Sequence, residues 1–240
     1  MSTLWRHEVD DWLRRALPGR CAFCLAACEP GSPWCGDCHA ALPWNRMACP
    51  TCAEPLPATL LATMAPRPCG HCLRRPPAFQ RARVPLRYED EVAGLMQRFK
   101  FNASPRAGTL LLALLEEGLA GVASPQALIA VPLHPRRARE RGFDQGRWLA
   151  ERLAARLEVP LIMARRRKDT PSQRGLDRGG RRGNLRRAFD VAAPLPPRVA
   201  LLDDVMTTGA TLDALARACR RAGAEEIEAW AIARTSLGHG

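Results

Sequence analysis

Apolar positions fall into three regimes along the chain. Trp5, Val9, Trp12, Leu13, Ala16 and Leu17 recur at helical spacing, so residues 3–17 read as an amphipathic helix that Pro18-Gly19 ends. Residues 20–77 have many prolines and few long apolar runs, and cannot build a large core by themselves. From Arg81 the pattern alternates. Residues 83–88 predict a short strand, and Glu91–Phe101, apolar at Val92, Leu95, Met96 and Phe99, predicts a helix. Gly108–Ala120 predicts a second helix, and the apolar run Ala127–Leu133 predicts a buried strand. Phe143–Leu157 places Trp148, Leu149, Leu153 and Leu157 on one helical side. Val159–Met163, Arg198–Leu202 and Ile227–Ala233 predict strands, with a helix at Ala210–Ala222. Strands alternating with helices predict an α/β fold with a mainly parallel sheet flanked by helices, which binds ligands at the carboxyl ends of its strands. The expected organisation is an N-terminal helix (1–19), a small cysteine-rich module (20–77) and an α/β domain (78–240).

Composition narrows the class. Hydrophobic residues make up 47% of the chain, enough for a packed core. No uncharged apolar run reaches the ~18 residues of a membrane span. Residues 1–19 carry Glu8, Asp10 and Asp11 and no cleavage-site signature, so they do not read as a signal peptide. The expected location is the cytoplasm, with no membrane span.

The net charge is +12, and it is concentrated. Between residues 165 and 187 stand ten basic residues and two acidic ones, Asp169 and Asp177. Arginine dominates, and its planar fork suits phosphates. The segment is either a phosphate-facing element, for a small molecule or a nucleic acid, or a solvated basic loop.

Nine of the ten cysteines lie within residues 20–77. Cys21/Cys24, Cys35/Cys38, Cys49/Cys52 and Cys69/Cys72 are four CxxC pairs, and without a secretion signal such pairs read as metal sites rather than disulfides. Each spacer lets both thiolates reach one ion, and two pairs complete a tetrahedral sulfur site of the kind zinc prefers. Sequential pairing puts Cys21, Cys24, Cys35 and Cys38 on one zinc and Cys49, Cys52, Cys69 and Cys72 on a second. A cross-braced arrangement and an iron–sulfur cluster are the alternatives. Four thiolates leave no open position, so the expected role is structural. Cys28 and Cys219 fall outside the pattern.

The densest chemistry lies at 199–211. Four apolar residues, Val199 to Leu202, are followed by Asp203 and Asp204, then by Val205, Met206, Thr207, Thr208, Gly209, Ala210 and Thr211. A small, hydroxyl-rich loop running into a helix can aim several backbone N–H groups at one phosphate, with the helix N-terminus adding partial positive charge. The two acids repel phosphate. They suit sugar hydroxyls, or a Mg²⁺ held by the ligand. This polarity matches a 5-phosphoribosyl group.

An apolar strand, Asp-Asp, two residues and Thr-Gly-x-Thr resembles the signature by which type I phosphoribosyltransferases bind 5-phosphoribosyl-1-pyrophosphate (PRPP). The resemblance implies that Asp203 and Asp204 hold the ribose hydroxyls, that Thr207–Thr211 cradle the 5′-phosphate, and that Mg²⁺ accompanies PRPP. It implies a second, pyrophosphate loop at Leu133, His134, Arg136 and Arg137. Those residues otherwise form an exposed basic turn. The segment 165–189 becomes a hood that excludes water from a cationic sugar intermediate, with Asp169, Thr170 and Gln173 as candidates to read an acceptor.

Nearly the whole chain resembles the ComF/GntX family. The markers are the CxxC pairs, Leu42-Pro43-Trp44, Pro85-Leu86-Arg87-Tyr88, Phe99-Lys100-Phe101, Val131-Pro132-Leu133-His134, residues 139–145, Thr170-x-x-Gln173, Asn184, Ala188-Phe189 and the Asp203 loop. Asp144 stands where the family often has Asn. The resemblance implies a cytoplasmic protein that assists internalisation of single-stranded DNA in natural transformation, beside a DNA-uptake helicase or a recombination mediator. The alternative is an active transferase that moves the 5-phosphoribosyl group to an acceptor.

Overall fold

The computed structural model describes residues 19–57, 67–133, 143–166, 188–192 and 194–236. The expected N-terminal helix at 3–17 lies outside them. The chain divides into two compact units, Met1–Pro43 and Trp44–Gly240. The second unit holds the second cysteine group together with the sheet. Polar contacts explain this. Asn45 Nδ2 donates to the carbonyls of Ala53 (2.9 Å) and Val84 (3.2 Å), tying the start of the unit to both the cysteine segment and the strands.

In the first unit, Cys21 and Cys24 sit on a tight knuckle. The Cys21 N–H donates to Ala26 O (2.8 Å), and Leu25 takes a left-handed φ of 64°. Cys35 caps helix α1 (Gly36–Ala41), which carries Cys38. The second unit repeats the device. The Cys49 N–H donates to Glu54 O (2.8 Å), Ala53 has φ 54°, and Cys69 caps α2 (Gly70–Arg74), which carries Cys72.

The remaining elements are β1 (Arg81–Arg83), β2 (Leu86–Arg87), α3 (Asp90–Phe101), α4 (Pro105–Gly118), β3 (Ala127–Ala130), α5 (Gln145–Leu157), β4 (Leu161–Met163), β5 (Arg165–Arg166), β6 (Phe189–Asp190), β7 (Arg198–Met206), α6 (Ala210–Arg221) and β8 (Glu226–Arg234). β1, β8, β7, β3 and β4 form one sheet in that order, with β2 also on β8, and every pairing is parallel. The single strand expected at 83–88 is broken because Pro85 supplies no ladder donor. β7 runs four residues past the expected Leu202, carrying the acid pair within the strand.

Both faces of the sheet are covered, which the continuous apolar runs require. Ile129, Val199, Leu201, Ile227 and Ala229 pack with Leu212, Leu215 and Cys219 of α6. α4 and α5 pack against β8, β3 and β7. Chain direction decides where a ligand can enter. From β3 the next strand, β4, is laid on one side, whereas β7 and then β8 are laid on the other. The order reverses between β3 and β7, and such a switch point opens a crevice at the carboxyl ends.

Candidate functional site

β3 pairs with β7 only as far as Ala130 with Leu202, whereas β8 follows β7 to Met206 with Arg234. Residues 203–206 therefore stand above the end of β3, at the switch point. The Asp203 carboxylate accepts from the Asp204 N–H (2.9 Å). Burial, and then the neighbouring Asp204 charge, push Asp203 up to about 7.

Lys100 supplies the compensating charge. Its Nζ lies 2.8 Å from Asp204 Oδ2. Helix α3 is held in place by Phe99, whose ring meets Phe143 (5.6 Å) and Trp148 (5.3 Å) edge to face. A Cβ at Gly108 would approach Phe99 Cε2 to 2.6 Å, so α4 passes only because that position is bare. The buried Gln145 side chain donates to Lys100 O (3.2 Å).

The loop after β7 is exposed at Thr207 and Thr208. Thr208 Oγ1 accepts from the Ala210 N–H (3.4 Å), and the Asp213 N–H donates to Gly209 O (2.9 Å), closing the first turn of α6. Gly209 has φ 72°, and a Cβ there would meet Met206 Cε at 2.7 Å. That conformation turns the chain into the helix, with its N-terminus facing the crevice. Met206 is buried in the core, with its Cε against Gly209 of the loop.

Arg234, at the end of β8, is almost fully buried. Its Nε donates to Cys52 O (3.2 Å). Nη1 donates to the carbonyls of Met206 (3.0 Å), Thr207 and Thr235 (2.8 Å). Nη2 pairs with Glu54 Oε2 at 2.5 Å.

Each set of four cysteines has its sulfurs within 4.8 Å of one another, in the sequential pairing. Cys24 and Cys35, and likewise Cys52 and Cys69, stand 3.7 Å apart at Sγ. A tetrahedral zinc with Zn–S of about 2.3 Å requires sulfur–sulfur edges of about 3.8 Å. The donor set and its spacing fit, so both groups could hold zinc.

Leu133 is partly buried just beyond β3. His134, Arg136, Arg137, Asp169, Thr170 and Gln173 lie outside the described residues. On either side of 167–187, Arg166 pairs in antiparallel register with Phe189, and the guanidinium stands over the ring at 5.5 Å. The sequence reading assigned no role to Lys100, Gln145, Glu54 or Arg234. Lys100 carried a signal, as one of two lysines in an arginine-dominated chain. Arg234 carried none.

The chain is 31% identical over 234 residues to "Competence protein F" of Haemophilus influenzae, covering 92% of this chain and 93% of that one. The chain belongs to the ComF/GntX family. "DNA utilization protein YhgH" of Escherichia coli strain K12 is 32% identical over 230 residues, covering 91% of this chain and 98% of the relative. No protein-family model matches. Among solved structures, the chain is similar to an orotate phosphoribosyltransferase from Aeropyrum pernix. That likeness has 24% identity, 55% of this chain, 61% of that chain and a TM-score of 0.37. This ComF/GntX member has a parallel sheet flanked by helices, with the acid pair at its switch point and the loop 207–209 leading from it into α6. No helix among the described residues is long and apolar enough to cross a membrane.

Proposed function

We propose that this chain binds PRPP with Mg²⁺ through Asp203–Thr211, and that in this state it assists the handling or internalisation of single-stranded DNA in the cytoplasm. The observation that carries the reading is the juxtaposition at the end of β7. Two acids suited to a sugar diol lie two residues before an exposed hydroxyl-rich turn, which Gly209 directs into a helix N-terminus. Asp203 and Asp204 take the ribose hydroxyls, Thr207–Thr211 the 5′-phosphate, and Leu133, His134, Arg136 and Arg137 the pyrophosphate. Magnesium neutralises the pyrophosphate charge when bound. Lys100 holds Asp204 until the diol arrives. Asp169, Thr170 and Gln173 belong to the hood.

Zinc in both cysteine groups is structural in this reading. The names of the two relatives, competence and DNA utilization, support the DNA part, as does the basic segment at 165–187. A helicase or recombination mediator of DNA uptake is the fitting protein partner. A second reading, a working transferase to an acceptor, has one supporting observation: Asp203 is pushed to about 7, where a carboxyl group can exchange a proton at neutral pH.

Calorimetry of PRPP with Mg²⁺, followed by an assay for pyrophosphate release with candidate acceptors, tests both. Binding without release is expected. Release with an acceptor makes the protein a transferase, and no binding overturns the site. A salt titration on single-stranded DNA tests the rest. Affinity should fall steeply with salt, and no affinity at low salt would remove the DNA role.

A further inference from the structure

We infer that Arg234 is a positioning residue that couples metal occupancy of the Cys49/Cys52/Cys69/Cys72 group to the conformation of the phosphate loop. The inference rests on the PRPP reading for its functional meaning, though not for its test.

Arg234 is the residue at which the two structures meet. On one side, Nε reaches Cys52 O (3.2 Å), the carbonyl of a cysteine in the group, and Nη2 reaches Glu54 two residues further on (2.5 Å). The carbonyl of that same Glu54 accepts from the Cys49 N–H (2.8 Å). The knuckle thus presents one carboxylate and one carbonyl to the guanidinium. On the other side, Nη1 holds the carbonyls of Met206 (3.0 Å) and Thr207, where the strand gives way to the loop. Both members of the ion pair are withdrawn from water, at 1% and 5% side-chain exposure. A buried guanidinium keeps its position only while its anion and acceptors keep theirs.

The position of Glu54 depends on the knuckle, whose apolar anchoring is small: Ala53 joins the core of the sheet and Cys52 packs against it. Among residues 49–57, Cys49 and Ala53 are the buried apolar ones. A segment so built is ordered by its metal. Loss of the ion frees the knuckle, moves Glu54 and the Cys52 carbonyl, and leaves Arg234 without its anion. The Met206 and Thr207 carbonyls then lose a shared donor, and peptide planes at the loop entrance are free to turn. A turned plane also turns the N–H that follows it, away from any phosphate. By linkage, a ligand that orders the loop favours metal retention to the same degree.

The test is hydrogen–deuterium exchange of residues 207–213 in the full-length, zinc-loaded protein. Cys72→Ser releases metal from the second group, and Cys38→Ser, which releases it from the first, is the control. Faster exchange of the loop amides, by about tenfold, is expected from Cys72→Ser and not from Cys38→Ser. Because Cys72→Ser risks unfolding the unit, Arg234→Lys provides the second variant. Lysine keeps the charge beside Glu54 but cannot fork to four carbonyls. This variant should retain both zinc ions and its fold, while loop exchange rises and PRPP affinity falls about tenfold. Equal effects of the two cysteine variants, or wild-type exchange in Arg234→Lys, would overturn the coupling. If the wild-type protein fails to bind PRPP, the proposed function falls, and the exchange rates still decide the coupling.

Discussion

Among the described residues, two cations reach the end of β7 from distant parts of the chain, and they are held in different ways. Arg234 has its whole guanidinium engaged by one carboxylate and four carbonyls, at 1% side-chain exposure. Lys100 meets a single carboxylate among the described residues, with 14% of its side chain exposed. The first arrangement is a clamp, since no donor can leave without orphaning a buried acceptor. The second is a releasable cap. A compact ammonium on a flexible stem can give up Asp204 to another polar group at little expense. The loop after β7 lies between a buried clamp and a part-exposed ion pair.

The largest expected effect comes from breaking the clamp. Arg234→Met leaves Glu54 buried beside an apolar side chain and should cost about 3–5 kcal/mol in urea denaturation. At 2–4 °C per kcal/mol, the melting temperature should fall by roughly 10 °C. A loss below about 1 kcal/mol would mean that the buried pair contributes nothing specific.

The next effect has the opposite sign. The pKa of Asp203 is raised to about 7 in the folded protein. In the unfolded chain the group titrates at the ordinary aspartate value. Between the two, only the folded state keeps the proton, so the wild type loses up to about 1.4 kcal/mol per pH unit as pH rises towards 7, and is level above it. Asp203→Asn removes that slope. It should be the more stable protein at pH 8 while losing PRPP affinity at least tenfold, by about 1.4 kcal/mol. Denaturation curves at pH 6, 7 and 8 check the slope, and a variant no more stable than wild type at pH 8 refutes the burial account.

Gly209→Ala probes the turn between clamp and cap. Forcing φ 72° on a residue with a Cβ should cost about 1–2 kcal/mol, since Met206 Cε can swing away from the 2.7 Å approach. The smallest stability change belongs to the cap. Lys100→Met should alter stability by less than about 1 kcal/mol, because water screens the part-exposed pair. Its readout is elsewhere. Lys100 lowers the Asp203 pKa, so carboxyl-carbon NMR should show Asp203 titrating above about 7 in the variant. An unchanged titration would show that Asp203 does not feel Lys100.

Much of this was written in local pattern. Val199–Leu202 form a strand because they are apolar and buried on both faces, and Gly209 turns the chain because it alone tolerates that φ cheaply. The CxxC spacing fixed which thiolates can share an ion within each pair. Boundaries were less legible. β7 continues through two acids because β8 supplies a partner edge as far as Met206, which no local preference foretells. The second cysteine group joined the sheet unit through Asn45 and Arg234, whose contacts span up to 182 residues of sequence.

The sequence by itself determined the α/β alternation, the acid pair before a hydroxyl-rich turn, and the four metal-competent cysteine pairs. Each depends on neighbours within a few residues: apolar period, turn chemistry and ligand spacing. Tertiary structure decided which cations serve that loop. In a chain with basic residues everywhere, the charge of Lys100 or Arg234 says nothing of its partner. Burial does: it leaves a carboxylate short of water, and the fold brings one cation within reach.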